Sequence, residues 1–131
     1  MKMTLRKVTP EDVGTVYKWW KAANIIMPPI DTWPETTFLA SGDDIPMYAI
    51  SLHLTNSPLA WLENFVANPE IPAETRKKLI KYGLEQLAGI AKESGAKYFW
   101  AYASNPKLAQ YYEEMGFKVM QSQLVSMARK I

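Results

Sequence analysis

One segment, Asn105-Pro-Lys-Leu-Ala-Gln-Tyr-Tyr-Glu-Glu-Met-Gly-Phe117, limits what this chain can fold into more than any other. It follows the aromatic run Lys97 to Ala103, which has the composition of a strand. Asn105 can cap a helix by accepting a bond from an otherwise unpaired first-turn amide. Gly116 can take the left-handed conformation that ends one. The segment therefore reads as strand, short helix over about Pro106 to Met115, and strand again.

The chain upstream divides just as clearly. Thr4 to Val8 alternates as a short strand, and Thr9-Pro10-Glu11-Asp12 supplies a cap, a first-turn proline and two acids for a helix to about Ala23. Apolar positions Val13, Val16, Tyr17, Trp20 and Ala23 give that helix one buried stripe. Met27 to Pro34 holds three prolines in eight residues, so it is an ordered loop and not a regular helix. Thr36 to Ala40 and Pro46 to Leu54 form a hairpin around the turn Ser41-Gly-Asp-Asp44, and Leu59 to Ala67 adds a third strand. Asn68-Pro-Glu-Ile-Pro72 then opens a long helix to about Glu93, ended by Ser94-Gly95. Leu79, Ile80, Gly83, Leu84, Leu87, Ile90 and Ala91 form its packing face. Gly83 in the middle permits close approach to a sheet at a helix cost of about 1 kcal/mol. Phe117 to Met120 and Leu124 to Arg129 read as a closing pair of strands.

These elements form one compact domain over residues 1 to 131, long enough to bury a core without staples. A net charge of +2 is too small to argue for nucleic acid or an anionic membrane, although Arg76, Lys77, Lys78 and Lys81 form a local basic cluster. The chain has no cysteine, which excludes disulfides, thiolate metal sites and a cysteine nucleophile. Its one histidine, His53, makes a zinc site improbable, and no metal is expected. No secretory signal opens the sequence and no window approaches a membrane span, so a cytoplasmic protein is expected.

The order strand, helix, three strands, helix, strand, helix, two strands gives a mixed α/β sandwich. With the Asn105 to Phe117 segment, it resembles the GNAT superfamily of N-acetyltransferases, whose members often read Asn-x-x-Ala-x-x-x-Tyr-x-x-x-Gly-Phe there. Asn105, Tyr112, Gly116 and Phe117 match in register, and Leu108 replaces the alanine. The resemblance implies the acyl-CoA N-acyltransferase fold, acetyl-CoA as cofactor and transfer of its acetyl group to an amine of a small molecule or peptide.

It also implies roles for particular residues. The family holds the cofactor pyrophosphate on backbone amides at the start of the long helix, in a loop resembling Arg/Gln-x-x-Gly-x-Gly/Ala. Thr75 to Ile80 aligns with that loop, or Arg76 to Lys81 after a shift of one, and neither contains glycine. Arg76, Lys77 and Lys78 would replace the lost backbone contacts by charge, or are simply a solvated helix face. Tyr112 matches the position that protonates the departing thiolate, or is a core tyrosine. Asn105 would bond the pantetheine arm or merely cap its helix. Glu63 is the candidate base, or faces solvent, and His53 is a second candidate or a structural histidine. Backbone at Phe65 or Val66 would polarise the thioester carbonyl.

Trp19 and Trp20 are adjacent on one helix, so at least one is expected near the surface. With Trp33 they would form an aromatic patch for a protein partner, or line an acceptor pocket. The missing glycines also resemble small phage-encoded GNAT-like proteins, some of them virion or assembly components. That resemblance implies a second function, a non-catalytic partner-binding or structural role, with homo-oligomer or virion assembly and a location in host cytoplasm or virion.

Overall fold

A computed structural model describes residues 1–131. The strands are β1 (Met3–Lys7), β2 (Thr37–Gly42), β3 (Ile45–Leu54), β4 (Leu59–Ala67) and β5 (Tyr98–Ala101), and the helices are α1 (Val13–Ala22), α2 (Ala73–Glu93) and α3 (Pro106–Glu114). The strands form one sheet in chain order, antiparallel from β1 through β4, with β5 parallel to β4. The β2–β3 turn is two residues, Asp43 and Asp44, both with positive φ (48° and 66°). This is the geometry that matches strand twist, and it lets β2 continue through Ser41 and Gly42.

Helix α2 covers one face of the sheet. Its Leu79, Ile80, Leu84, Leu87 and Ala91 pack on Phe38, Ala40, Tyr48, Ile50, Leu52, Ala60 and Leu62, with Leu108, Tyr111 and Tyr112 of α3 closing the same core. Gly83 lies against the Tyr48 ring, whose hydroxyl donates to the Leu79 carbonyl at 3.1 Å. The opposite face carries a smaller cluster in which Val16, Trp19 and Trp20 of α1 meet Leu39, Ala49 and Val66.

Both adjacent tryptophans are thus buried, at 5% and 7% exposure, while Tyr17 is half exposed. The expected surface patch of Trp19, Trp20 and Trp33 does not form. Trp19 and Trp20 stand three and four residues after Val16, so both fall within a stripe wide enough to face the sheet. Trp33 is half-buried, and its indole N–H donates to the Pro28 carbonyl at 3.0 Å, which orders the proline-rich loop.

The closing strands expected over 117–120 and 124–129 are also not formed. Gly116, at φ 95°, ends α3 as its sequence position implies. Phe117 then folds back on Tyr112 and Phe99, with ring centroids 5.3 and 5.4 Å apart. Beyond it Val119, Met120, Leu124, Val125 and Met127 are exposed. Alternation alone makes a strand only where an edge receives it, and β5 offers four residues.

Candidate active site

Strands β4 and β5 pair from Leu59↔Tyr98 to Leu62↔Ala101, and the Tyr102 amide donates a last bond to the Leu62 carbonyl at 3.2 Å. After that the strands part. Asn64, with φ 58°, sits at an irregularity in the pairing with β3: Ser51 faces Glu63, whereas Ala49 faces Val66. The extra residue is a β-bulge, and it inverts the alternation of the strand. Ala60 and Leu62 face α2 before it; Phe65 and Ala67 do so after it.

The parted strands open a cavity of about 260 Å³. Its walls are Phe65, Val66 and Ala67 of β4, Trp19 and Trp20 of α1, Ile80 of α2, and Leu108 and Tyr111 of α3. Arg76, in the first turn of α2, and Lys107, in the first turn of α3, supply its two cations. Asn105 also lines it while its side chain caps α3, accepting from the Leu108 amide at 2.8 Å. Its two expected roles therefore do not compete. The apolar walls suit a narrow flexible chain, and the volume falls just short of the roughly 300–1,000 Å³ of sites that enclose a whole drug-sized ligand.

No side chain caps the start of α2, leaving its first amides free for an anion, although Glu74 stands in the same turn. The cavity and its two cations therefore fit the arm and a phosphate of acetyl-CoA. The glycine cradle is absent, so the fit runs through side-chain charge.

Around the fork lies a second group of residues on the α1 side of the sheet. Glu63 is the first residue of β4 beyond the last paired position. Its Oε2 lies 3.4 Å from His53 Nε2 and accepts from the Trp61 indole N–H at 3.4 Å. The His53 ring stacks on Trp61 at 4.7 Å, and its Nε2 is buried without an aligned hydrogen bond. Burial pushes the His53 pKa down against the opposing pull of Glu63.

No protein-family model matches the sequence, and no curated protein matches it at a significant level. Solved structures do match. An acetyltransferase from Trypanosoma brucei superposes with a TM-score of 0.67 at 16% identity, covering 97% of this chain and 100% of that one. Ard1 from Thermoplasma volcanium gives 0.69 at 14% identity, over 92% and 86%. A predicted acetyltransferase from Clostridium acetobutylicum, solved with acetyl-CoA, gives 0.64 at 16% identity, over 96% of each chain. This chain has the GNAT acyltransferase fold.

Within that GNAT fold, the structure brings Phe65, Val66, Arg76 and Asn105 together at one cavity, and sets Glu63 beside its fork. It separates the others. Lys77 pairs with Glu114 at 3.4 Å and lies over the Tyr111 ring, tying α2 to α3. Lys78 is on the exposed face of α2. Tyr112 does not line the cavity: it is buried in the α2-side core against Phe117, where desolvation pushes its phenol pKa up. Tyr111 takes the cavity position instead, because Leu108 and Tyr111, three residues apart, share the face turned to it. Lys107 is marked in the sequence only as a cation two residues after the cap. No helix is long and apolar enough to cross a membrane.

Proposed function

We propose that this protein is an N-acetyltransferase that takes acetyl from acetyl-CoA and delivers it to an amine at the β4–β5 fork. The observation that carries this reading is an apolar cavity lined by two cations at the place where the strands part, with a carboxylate–imidazole pair beside that fork. Bound in the cavity, acetyl-CoA would supply an activated thioester.

The chain's residues divide the remaining work. Trp19, Trp20, Phe65 and Leu108 exclude water from the arm, while Arg76 and Lys107 meet phosphate charge by charge-assisted bonds. Phe65 and Val66 line the cavity beyond the last β4–β5 pair, and in this reading a backbone amide there binds the carbonyl oxygen. An ammonium arriving at the fork must lose a proton before it attacks. In this reading Glu63 Oε2, or the His53 ring 3.4 Å from it, takes that proton directly or through one water.

Calorimetric titration with acetyl-CoA and CoA tests the reading. Micromolar affinity is expected, weakened by Arg76→Glu or Lys107→Glu and unchanged by Lys78→Glu on the exposed helix face. Absence of binding up to millimolar cofactor would overturn it, and would leave the fold serving a non-catalytic partner.

A further inference from the structure

The α1-side face of the sheet is left uncovered at the β4–β5 edge, and what lies on it is aromatic. Trp61 and Trp100 are direct partners in the parallel ladder, as are Leu59 and Tyr98 one step back. Partners in a ladder share a face, and Phe99 and Ala101, the alternate residues of β5, point to the α2 core. Tyr98 is 65% exposed and Trp100 40% exposed. A stripe therefore runs from the fork at Glu63, over Trp61 and Trp100, to Leu59 and Tyr98. Its length between successive same-face residues is about 6.5 Å.

Charge on this stripe has one sign. Glu63 has a single basic neighbour, His53, whose pKa burial lowers, and no lysine or arginine pairs with it. An aromatic floor ending in an uncompensated carboxylate attracts cations, through ring quadrupoles and through the carboxylate itself.

We infer that the Tyr98–Trp100–Trp61–Glu63 stripe is the acceptor subsite, and that it selects linear aliphatic amines carrying a second ammonium group, the diamine and polyamine class. The reacting nitrogen sits at Glu63 and must be deprotonated, so it cannot remain the anchoring charge. The second ammonium stays charged and rests over Trp100, with Tyr98 beyond it and the methylene chain along Trp61. Both nitrogens thus find a group suited to their protonation state. This inference rests on the acetyltransferase reading for its chemistry, but its binding site does not depend on turnover.

Two measurements separate the two ideas. The first is titration with hexamethonium, a linear bis-quaternary ammonium that cannot be acetylated, followed by tryptophan fluorescence and by calorimetry. Saturable binding is expected, weakened about 3- to 30-fold by Trp100→Ala, as loss of a cation–π contact implies, and restored by Trp100→Phe. Glu63→Gln should weaken it as well, while acetyl-CoA affinity stays at the wild-type value in all three variants. No saturable binding, or equal binding in Trp100→Ala and wild type, overturns the subsite whatever the cofactor result. The second measurement compares 1,4-diaminobutane, n-butylamine and 2-phenylethylamine as acceptors by CoA release. A preference for the diamine in kcat/KM of about tenfold or more over both monoamines is expected, and its collapse in Trp100→Ala. Equal use of n-butylamine would remove the second charge from recognition, and preference for 2-phenylethylamine would make the stripe a stacking site for aryl amines. Failure of acetyl-CoA to bind, with hexamethonium still held by Trp100, would overturn the transferase and leave the cation site standing.

Discussion

Replacing Gly83 by alanine tests how closely α2 lies on the sheet. A Cβ built at Gly83 overlaps the Tyr48 hydroxyl and stands 3.2 Å from Cζ of the same ring. Tyr48 cannot retreat easily: it is 1% exposed, touches Phe65 with centroids 5.2 Å apart, and donates to the Leu79 carbonyl. Either the helix lifts or the ring moves and its hydroxyl loses that partner. Overpacking costs about 1–3 kcal/mol, and an orphaned buried hydroxyl about 1–3 kcal/mol more. Alanine returns about 1 kcal/mol of helix propensity. The expected net loss is therefore about 1–5 kcal/mol, read as a shift of the urea midpoint at constant slope. Tyr48→Phe alone should cost about 1 kcal/mol, the worth of one hydrogen bond. In that background the clashing atom is gone, so Gly83→Ala should cost at least about 1 kcal/mol less than in wild type, a coupling typical of touching residues. The reasoning fails if Gly83→Ala is neutral, or if it costs the same with phenylalanine at 48.

Other perturbations test other parts of the molecule. Asn105→Ala should lower stability by about 1 kcal/mol in urea melts through the lost cap, and Asn105→Asp should restore it. Tyr112→Phe should change kcat far less than the roughly 10²–10⁴-fold that removal of a proton donor produces, because the ring lies in the core and off the cavity wall; a loss in that range would make Tyr112 the acid. Asp12 is held well below the usual carboxylate range by its two hydrogen bonds to Arg6, at 2.7 and 2.8 Å, and by those from the Thr9 amide and hydroxyl. A depressed carboxylate stabilises above its unfolded pKa of about 3.9 and loses that contribution as pH falls below it. Asp12→Asn should accordingly flatten stability between about pH 4 and 2, by about 1 kcal/mol or less because Arg6 is half exposed and screened. A wild-type slope retained in the variant would place the acid sensitivity elsewhere.

The elements that could be read from the sequence are those whose causes are local. β4 spans Leu59–Ala67 and α2 runs from Ala73 to Glu93 as the residues imply, because proline, glycine and periodic apolar positions act within a turn or two of themselves. Asn105 caps α3 and Gly116 ends it for the same reason. Even Gly83's close approach was visible as a glycine amid a packing face, although only the structure names Tyr48 as what it admits.

The arrangement of the site depended on distant pairings. Whether Trp19 faces solvent depends on what covers α1, and whether Tyr111 or Tyr112 meets the cavity depends on how α3 docks against α2. The tail from 118 onward has the alternation of strands and forms none, since a ladder needs an edge as well as a pattern. The fork was invisible for the same reason: it arises where β4 leaves β5 after Leu62, and the bulge at Asn64 turns the strand over between Glu63 and Phe65. Sequence by itself determined the elements up to α3, whose causes are local, and which residue types were on hand for chemistry. Tertiary structure decided which of them face one another, because side-chain direction is set by register and docking, and those are agreements between segments far apart in the chain.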